Sequence, residues 1–435
     1  MSAASHGLSL SSAIFINLNI MMGVGLFVNT AVLSQQLGAA SIFIYPLIGL
    51  LTFPLIYTVS HLTNRFPAGG FYSFAKEISP FLGFISTWSY FFGKLASGGL
   101  MLYVACTILQ GYFICLHTVP TLLLCFLMLL FFTLCNMYNM QVGAQVQKIF
   151  FTAKSIPVLF VILIGLYFFD TSGIIATNFH FEAIPFTIPL IIFCLSGFEA
   201  ACSISRRIEN PTVNGPRAIF YSFGIVITLY TLYQALLYLL IHPYTGTITS
   251  YQEIYPLLTR LLPTAVGSQQ KIAALLNVMS AVSALGGSYG ILFSNTWNMY
   301  TLAENQHVVF SKQFTRLNKN DIPFLIILLE AAMYMIFLLF TQGYQIPLQQ
   351  TTAFGVTIAY TISAIAGLWQ LKRKKYVHAL AVTVCIGFIA TCLYSLLQKG
   401  VSSLYLFLSI MLIGCLMFWY TSNRNRTFNN KELNV

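Results

Sequence analysis

The sequence predicts an all-α membrane protein of twelve transmembrane helices. Ten of them form two inverted five-helix repeats, each opening on a broken helix. Three observations carry this reading. The 435 residues are 57% hydrophobic and only 7% charged, whereas an ordinary soluble protein carries about 25% charged residues. Twelve apolar stretches are near the length of about 20 residues that a spanning helix needs. The first and the sixth stretch carry glycine at their centres, Gly23 and Gly25 in one and Gly197 in the other.

In chain order the spans are 11–37, 40–60, 82–114, 119–138, 144–168, 184–205, 217–241, 272–303, 322–342, 347–370, 376–397 and 401–420. The amphipathic piece Pro67 to Ile78 is expected to lie at the membrane surface. The loops near 169–183 and 242–270 are the longest connections on the outside. The domains expected are an N-terminal tail (1–10), a first repeat (11–168), a second repeat (184–370), a peripheral helix pair (376–420) and a C-terminal tail (421–435).

A net charge of +11 could suit nucleic acid, but the positions of the charges point to membrane topology. With the N-terminus in the cytoplasm, 16 of the 21 basic residues lie inside, among them Arg65, Arg206, Arg207, Arg217 and the run Lys372 to Lys375. Arg260, Lys271 and Lys399 lie outside, and Lys94 and Lys154 fall within the membrane. This is the positive-inside bias. It predicts an integral protein of the plasma (inner) membrane with both termini cytoplasmic, surrounded by lipid and with no nucleic-acid partner. The nine cysteines form no CxxC pair, and the histidines lack metal-ligand spacing, so neither a disulfide framework nor a metal or cofactor is expected. No cleaved signal is expected at the N-terminus.

Glycine in a helix interior costs roughly 1 kcal/mol against alanine. In lipid a broken helix costs more, because unpaired backbone groups find no water. Such breaks need buried protein or a ligand to satisfy them. Five helices separate the two breaks, so the sixth span enters from the side opposite to the first. Inverted repeats with paired interruptions mark the binding site of a secondary transporter.

Three stretches resemble the amino acid–polyamine–organocation (APC) permeases, which share the five-plus-five fold of the leucine transporter. They are Gly23-Val24-Gly25-Leu26-Phe27, then Pro67-Ala68-Gly69-Gly70-Phe71-Tyr72 with Pro80-Phe81-Leu82-Gly83-Phe84, and then Ser196-Gly197-Phe198-Glu199 with Glu209-Asn210-Pro211 and Gly215-Pro216-Arg217-Ala218-Ile219. Their order and spacing cover the first ten spans. The chain departs from the family pattern at Val24, at Asn29 and Thr30, at Arg207 and around Ser294-Asn295.

The resemblance implies an amino acid substrate, bound where backbone is unwound. The amides of Val24 and Gly25, with Gly23, would hold its carboxylate at the positive end of a half-helix. The carbonyls of Met21, Phe193 and Ser196, beside Gly197, would hold its ammonium, and the Phe193 ring would gate the outer path. Lys94, Lys154, Glu199 and Glu330 are ionisable residues inside spans, each costing about 2.5–3.5 kcal/mol at a helix centre on insertion scales. Lys154 aligns with a lysine that replaces a sodium ion in some proton-coupled relatives. Lys154 and Glu199 are the expected proton-coupling groups. Lys94 would meet either a substrate side-chain carboxylate, favouring acidic amino acids, or Glu199. Glu330, four residues before Tyr334, is expected to make a structural or subunit contact.

The function expected is secondary active transport of amino acids, acidic ones where Lys94 meets the substrate, by proton-coupled alternating access. The alternatives are an exchanger of substrate for product without net ion coupling, or a non-transporting receptor on the same fold. An enzyme needs a constellation such as HExxH or paired Asp at membrane depth, and a channel usually needs a repeated pore loop; the sequence has neither.

Overall fold

The computed structural model describes residues 7–138, 140–169, 180–248 and 250–432, with side chains to 424. Part of the expected 169–183 loop and most of the N-terminal tail lie outside the described residues. The first span is two helices, α1 (Leu10–Met21) and α2 (Val24–Leu37), bent by 43° at the break. Then come α3 (Ser41–Arg65), the short α4 (Gly70–Lys76), α5 (Pro80–Tyr112), α6 (Thr121–Asn136) and α7 (Met140–Tyr167). The sixth span is also split, into α8 (Ile184–Leu195) and the single turn α9 (Ala200–Ser203). The remainder is α10 (Pro211–Ile241), α11 (Ile254–Thr259), α12 (Val266–Glu304), α13 (Ser311–Phe314), α14 (Phe324–Thr341), α15 (Gln345–Gln370), α16 (Lys375–Lys399) and α17 (Val401–Glu432).

Every expected span is helical. Among the described residues nine helices are long and apolar enough to cross a membrane alone, and the bent pair α1–α2 makes a tenth. The fourth and sixth spans are the short ones. The 16 residues of α6 reach about 24 Å, less than the ~30 Å of a bilayer core, and the sixth span is shortened by its break. Large apolar side chains such as Leu50, Phe131, Leu163 and Trp419 face outward, as lipid-facing surfaces require. The last helix runs to Glu432, past the expected end of its span at 420.

The packing follows the internal repeat. The second span, α3, packs on the seventh, α10; the third, α5, on the eighth, α12; the fourth, α6, on the ninth, α14. In the first and sixth spans, α1 meets α9 and α2 meets α8. Four of the five spans of the first half thus pack on their counterparts five spans on, as a two-fold axis between the repeats produces.

One expectation is corrected. The Pro67–Ile78 piece is at the surface only at its ends, with Lys76 and Glu77 exposed and residues 69–75 buried. Gly69 and Gly70 take φ of +91° and +52°, a left-handed corner that glycine adopts without a Cβ penalty. The corner turns α4 inward, and Phe71 and Phe74 are fully buried. The Phe71 ring lies 4.6 Å from that of Tyr90. An amphipathic face suits a bundle interior as well as a lipid interface, and here the bundle takes it.

Helices α5 and α15 cross at glycine. A Cβ on Gly355 would lie 2.8 Å from the Ser89 carbonyl oxygen and 2.9 Å from Gly93 Cα. Both are backbone atoms, which cannot step aside. Gly355→Ala is therefore expected to destabilise the bundle by about 1–3 kcal/mol, the usual cost of overpacking. Gly224→Ala in α10, where nothing lies within 4 Å, is expected to unfold no earlier than wild type. Thermal unfolding of the two purified variants, followed by tryptophan fluorescence, checks both.

Candidate functional site

The two breaks meet at the centre of the bundle. Gly197 has φ of +139°, a conformation that L side chains rarely adopt. A Cβ there would also fall 2.9 Å from side-chain atoms of Ile20 and Met21. On the other half of the crossing, a Cβ on Gly25 would lie 2.7 Å from Cys194 Sγ and 3.0 Å from the Phe193 ring. Glycine is needed at both positions so that the unwound backbones can touch.

Side chains satisfy the unwound groups. Asn17 Nδ2 donates to Phe198 O at 2.6 Å and Asn17 Oδ1 accepts from Ala201 N at 2.9 Å, joining α1 to the second half of the sixth span. Asn29 Nδ2 donates to Leu190 O at 3.2 Å, joining α2 to the first half. The Tyr230 hydroxyl donates to Met21 O at 2.6 Å, and Ser283 Oγ donates to Met22 O at 2.9 Å. Lys154 Nζ, fully buried, donates to Asn19 O at 2.7 Å. The Asn19 amide in turn donates to Gly286 O at 2.7 Å and to Gln147 Oε1, so α1, α7 and α12 share one junction.

Glu199 braces the break in the sixth span. Its Oε2 accepts from Gly197 N at 2.8 Å, and its Oε1 accepts from the Tyr90 hydroxyl at 2.9 Å. Lys94 Nζ lies 3.1 Å from the same Oε1, and both side chains are buried. Such a pair survives burial only with good geometry and further hydrogen bonds, which Tyr90 and Gly197 supply.

The two ends of the bundle differ. Toward the C-terminal end of α2 lies a cavity of about 430 Å³, lined by Val28, Val32 and Gln35 of that helix together with Tyr251 and Tyr344. Val28, which lines the cavity, is one turn from Gly25, against which the Phe193 ring packs. The end nearer the N-terminus is laced shut. Leu8 N donates to Arg207 O at 2.6 Å and Glu209 N to Leu8 O at 2.9 Å, forming a parallel backbone bridge. Arg206 pairs with Glu304 at 2.6 Å, and the Arg207 guanidinium stacks 4.9 Å above the Trp297 ring. Tyr72 and His307 share a 2.7 Å hydrogen bond, and burial pushes the imidazole down to about 4, leaving it neutral.

The family model described as an amino acid permease matches residues 8–432. The chain belongs to the amino acid permease family. It is therefore a membrane transporter of the APC superfamily and not an enzyme. The permease is 23% identical to the aromatic amino acid transport protein AroP of Salmonella typhimurium (strain SL1344), covering 80% of this chain and 76% of that protein. It is 20% identical to the aromatic amino acid permease FywP of Lactococcus lactis, covering 96% of each. It is 23% identical to the serine/threonine exchanger SteT of Bacillus subtilis, covering 83% of each.

The expected residues of the permease converge on the crossing. Met21, Gly23, Val24, Gly25, Phe193, Ser196 and Gly197 are together there, all buried. Two of the three carbonyls expected to hold an ammonium already carry donors: Met21 O accepts from Tyr230 and from Gly23 N, and Phe193 O accepts from Ser196 Oγ at 3.0 Å. Lys94 has the partner that sequence reading gave as its alternative, Glu199. Lys154 is buried and does not snorkel to the surface. Glu330 makes an internal contact, with Asn295 and Thr296 of α12. Tyr230 and Asn17 were missed. The signal for Asn17 was available, since an asparagine in an apolar span faces a protein partner.

At Gly25 the added Cβ would press on Cys194 and Phe193, and a valine adds two methyl groups where even alanine collides. Gly25→Val is expected to reach the membrane in normal amount and to lose amino acid uptake at least about tenfold, the effect of roughly 1.4 kcal/mol on a transport barrier. Radiotracer uptake by a well-folded Gly25→Val protein at the wild-type rate would contradict the placement of the site.

Proposed function

We propose that this permease carries a neutral amino acid through the crossing of its two broken spans by alternating access, driven by protons. The observation that supports it is the meeting of the two breaks at Gly25 and Gly197, with half-helix ends and unwound carbonyls facing one point. A zwitterion suits that point: the α2 N-terminus takes a carboxylate, and Ser196 O with the second lone pair of Phe193 O takes an ammonium. On this reading both termini are cytoplasmic in the plasma (inner) membrane, lipid covers the outward apolar belt, and the cavity lined by Val28 and Tyr344 opens to the outside.

The Lys94–Glu199 pair supports a neutral over an acidic substrate. An unpartnered Lys94 would need an anion from the substrate. With Glu199 at 3.1 Å, the pair carries no net charge, and a second carboxylate would enter a low-dielectric site without a free cation. Competition of labelled L-serine or L-phenylalanine uptake by unlabelled amino acids tests this in proteoliposomes. Neutral amino acids are expected to compete, with glutamate and arginine at least about tenfold weaker. Strong competition by glutamate would return the acidic reading.

Lys154 is the proposed proton carrier. Its ammonium holds the Asn19 carbonyl at the junction of α1, α7 and α12, so losing a proton would slacken the grip on α1. Lys154→Ala is expected to transport at the same rate with and without an inward proton gradient, where wild type accelerates several-fold. An unchanged response to the gradient in this variant would refute the assignment, and a wild type that does not respond to the gradient would favour exchange without ion coupling, the activity in the name of SteT.

A further inference from the structure

Two carboxyl groups, Glu199 and Glu330, are buried in the bundle with no exposure, and their hydrogen bonds differ in kind. Glu199 receives three donors: a backbone amide, a tyrosine hydroxyl and an ammonium. It is satisfied as a carboxylate. Glu330, on α14, receives the Asn295 amide on Oε1 at 3.0 Å. Its Oε2 lies 2.8 Å from Thr296 Oγ1.

The hydrogen count around Thr296 decides the state of Glu330. A threonine hydroxyl has one hydrogen to give. Thr296 Oγ1 lies 2.7 Å from Leu292 O, one turn back on α12, as well as 2.8 Å from Glu330 Oε2. A carbonyl cannot donate, so the contact with Leu292 takes the threonine hydrogen. The short contact with Oε2 then lacks a hydrogen unless the carboxyl brings one. The other bonds of the network balance. The two amide hydrogens of Asn295 go to Glu330 and to Phe91 O at 3.1 Å. Asn295 Oδ1 accepts from Asn298 Nδ2 at 3.1 Å, and Asn298 Oδ1 accepts from Ser203 Oγ at 2.9 Å.

The charged neighbours agree. No ammonium, guanidinium or imidazole forms an ion pair with Glu330 among the described residues. On its own helix the titratable neighbour is Tyr334, one turn on. Of the helices packed against α14, α5 offers Lys94, already bonded to Glu199, and α6 has no charged residue. On α12 the neighbours are the neutral Asn295 and Thr296, its charges Lys271 and Glu304 lying near its ends. On α13 the charge is Lys312, at a bundle end.

We propose that Glu330 is a proton-binding site: a carboxylic acid at neutral pH, donating from Oε2 to Thr296 and joined through Asn295, Asn298 and Ser203 to the second half of the sixth span. The proton neutralises a buried group that has no counter-charge. Its release leaves a carboxylate in a low-dielectric interior, so release needs a conformation that brings water or a cation. Ser203 ends α9, the same short element that bears on Asn17 and Glu199, so the proton sits at one end of a chain whose other end is on the unwound span. The assignment goes beyond the transport reading above, which uses Lys154.

Infrared spectroscopy of the full-length protein in proteoliposomes tests it without measuring transport, so a failure of the transport reading leaves it standing and the reverse. At pH 7 the wild-type protein is expected to show a carboxylic-acid C=O stretch that moves in D₂O. Glu330→Gln is expected to remove that band, and Glu199→Gln is expected to leave it and to remove a carboxylate band instead. Thr296→Val keeps the carboxyl but deletes its acceptor, and is expected to shift the acid band to higher frequency. This second variant decides the matter should Glu330→Gln fail to fold. Loss of a carboxylate band in Glu330→Gln, or an unmoved acid band in Thr296→Val, would overturn the proposal.

Discussion

Unwound backbone at membrane depth has to be satisfied by protein, and the rest of the structure is arranged to do it. Each free N–H or C=O in hydrocarbon costs several kcal/mol. The break between Met21 and Val24 would leave such groups at Asn19, Met21 and Met22. Lys154, Tyr230 and Ser283 reach them from three different helices. The break at Ser196–Glu199 is treated alike, with Glu199 bonding the amide of Gly197 and Asn17 bonding Phe198 and Ala201.

This constraint explains what was legible in the sequence. Spans are read from hydropathy because a bilayer demands about 20 apolar residues, and each expected span is a helix. The breaks were legible because glycine marks close approach and φ beyond the reach of other residues; Gly197 shows both. Partners were not legible. A lysine in a span needs a polar partner, but nothing in one sequence says whether Lys94 meets Glu199 or a ligand. Tyr230 looked like any of the 24 tyrosines, because a tyrosine at membrane depth fits packing and hydrogen bonding equally. The Pro67–Ile78 piece was misplaced for a related reason: amphipathicity gives a face to bury and does not name the surface that buries it.

The buried charges also divide the labour among themselves. The Lys94–Glu199 pair is internally neutral and tied to a backbone amide, a geometry that resists change because separating its members would strand both in a low-dielectric interior. Lys154 is held differently. Its one protein partner shown here is a carbonyl, which binds an ammonium but does not cancel its charge. A group in that position can shed a proton at lower electrostatic cost than a paired one. On the proposed cycle the contrast favours bracing for the pair and switching for Lys154, and it follows from partner chemistry rather than from position in the span.

Magnitudes then indicate which contacts give way when the inner end opens on the proposed cycle. The Arg206–Glu304 pair is more than a third exposed on both sides and contributes about 0–1 kcal/mol. Arg207 over the Trp297 ring adds about 0.5–2 kcal/mol. Together these make a barrier of a few kcal/mol, the range in which a minor conformation remains populated and a bound substrate can shift the balance. The Asn17 bonds are of another order. They lie in the dry interior, where breaking them would expose Phe198 O and Ala201 N without water to replace the partner. The inner half of the first span and the unwound part of the sixth therefore move together, as one body carried by Asn17. The contacts of Arg206 and Arg207 with α12 are what that body leaves behind, and the Leu8 bridge, which joins the first span to the sixth, moves with it.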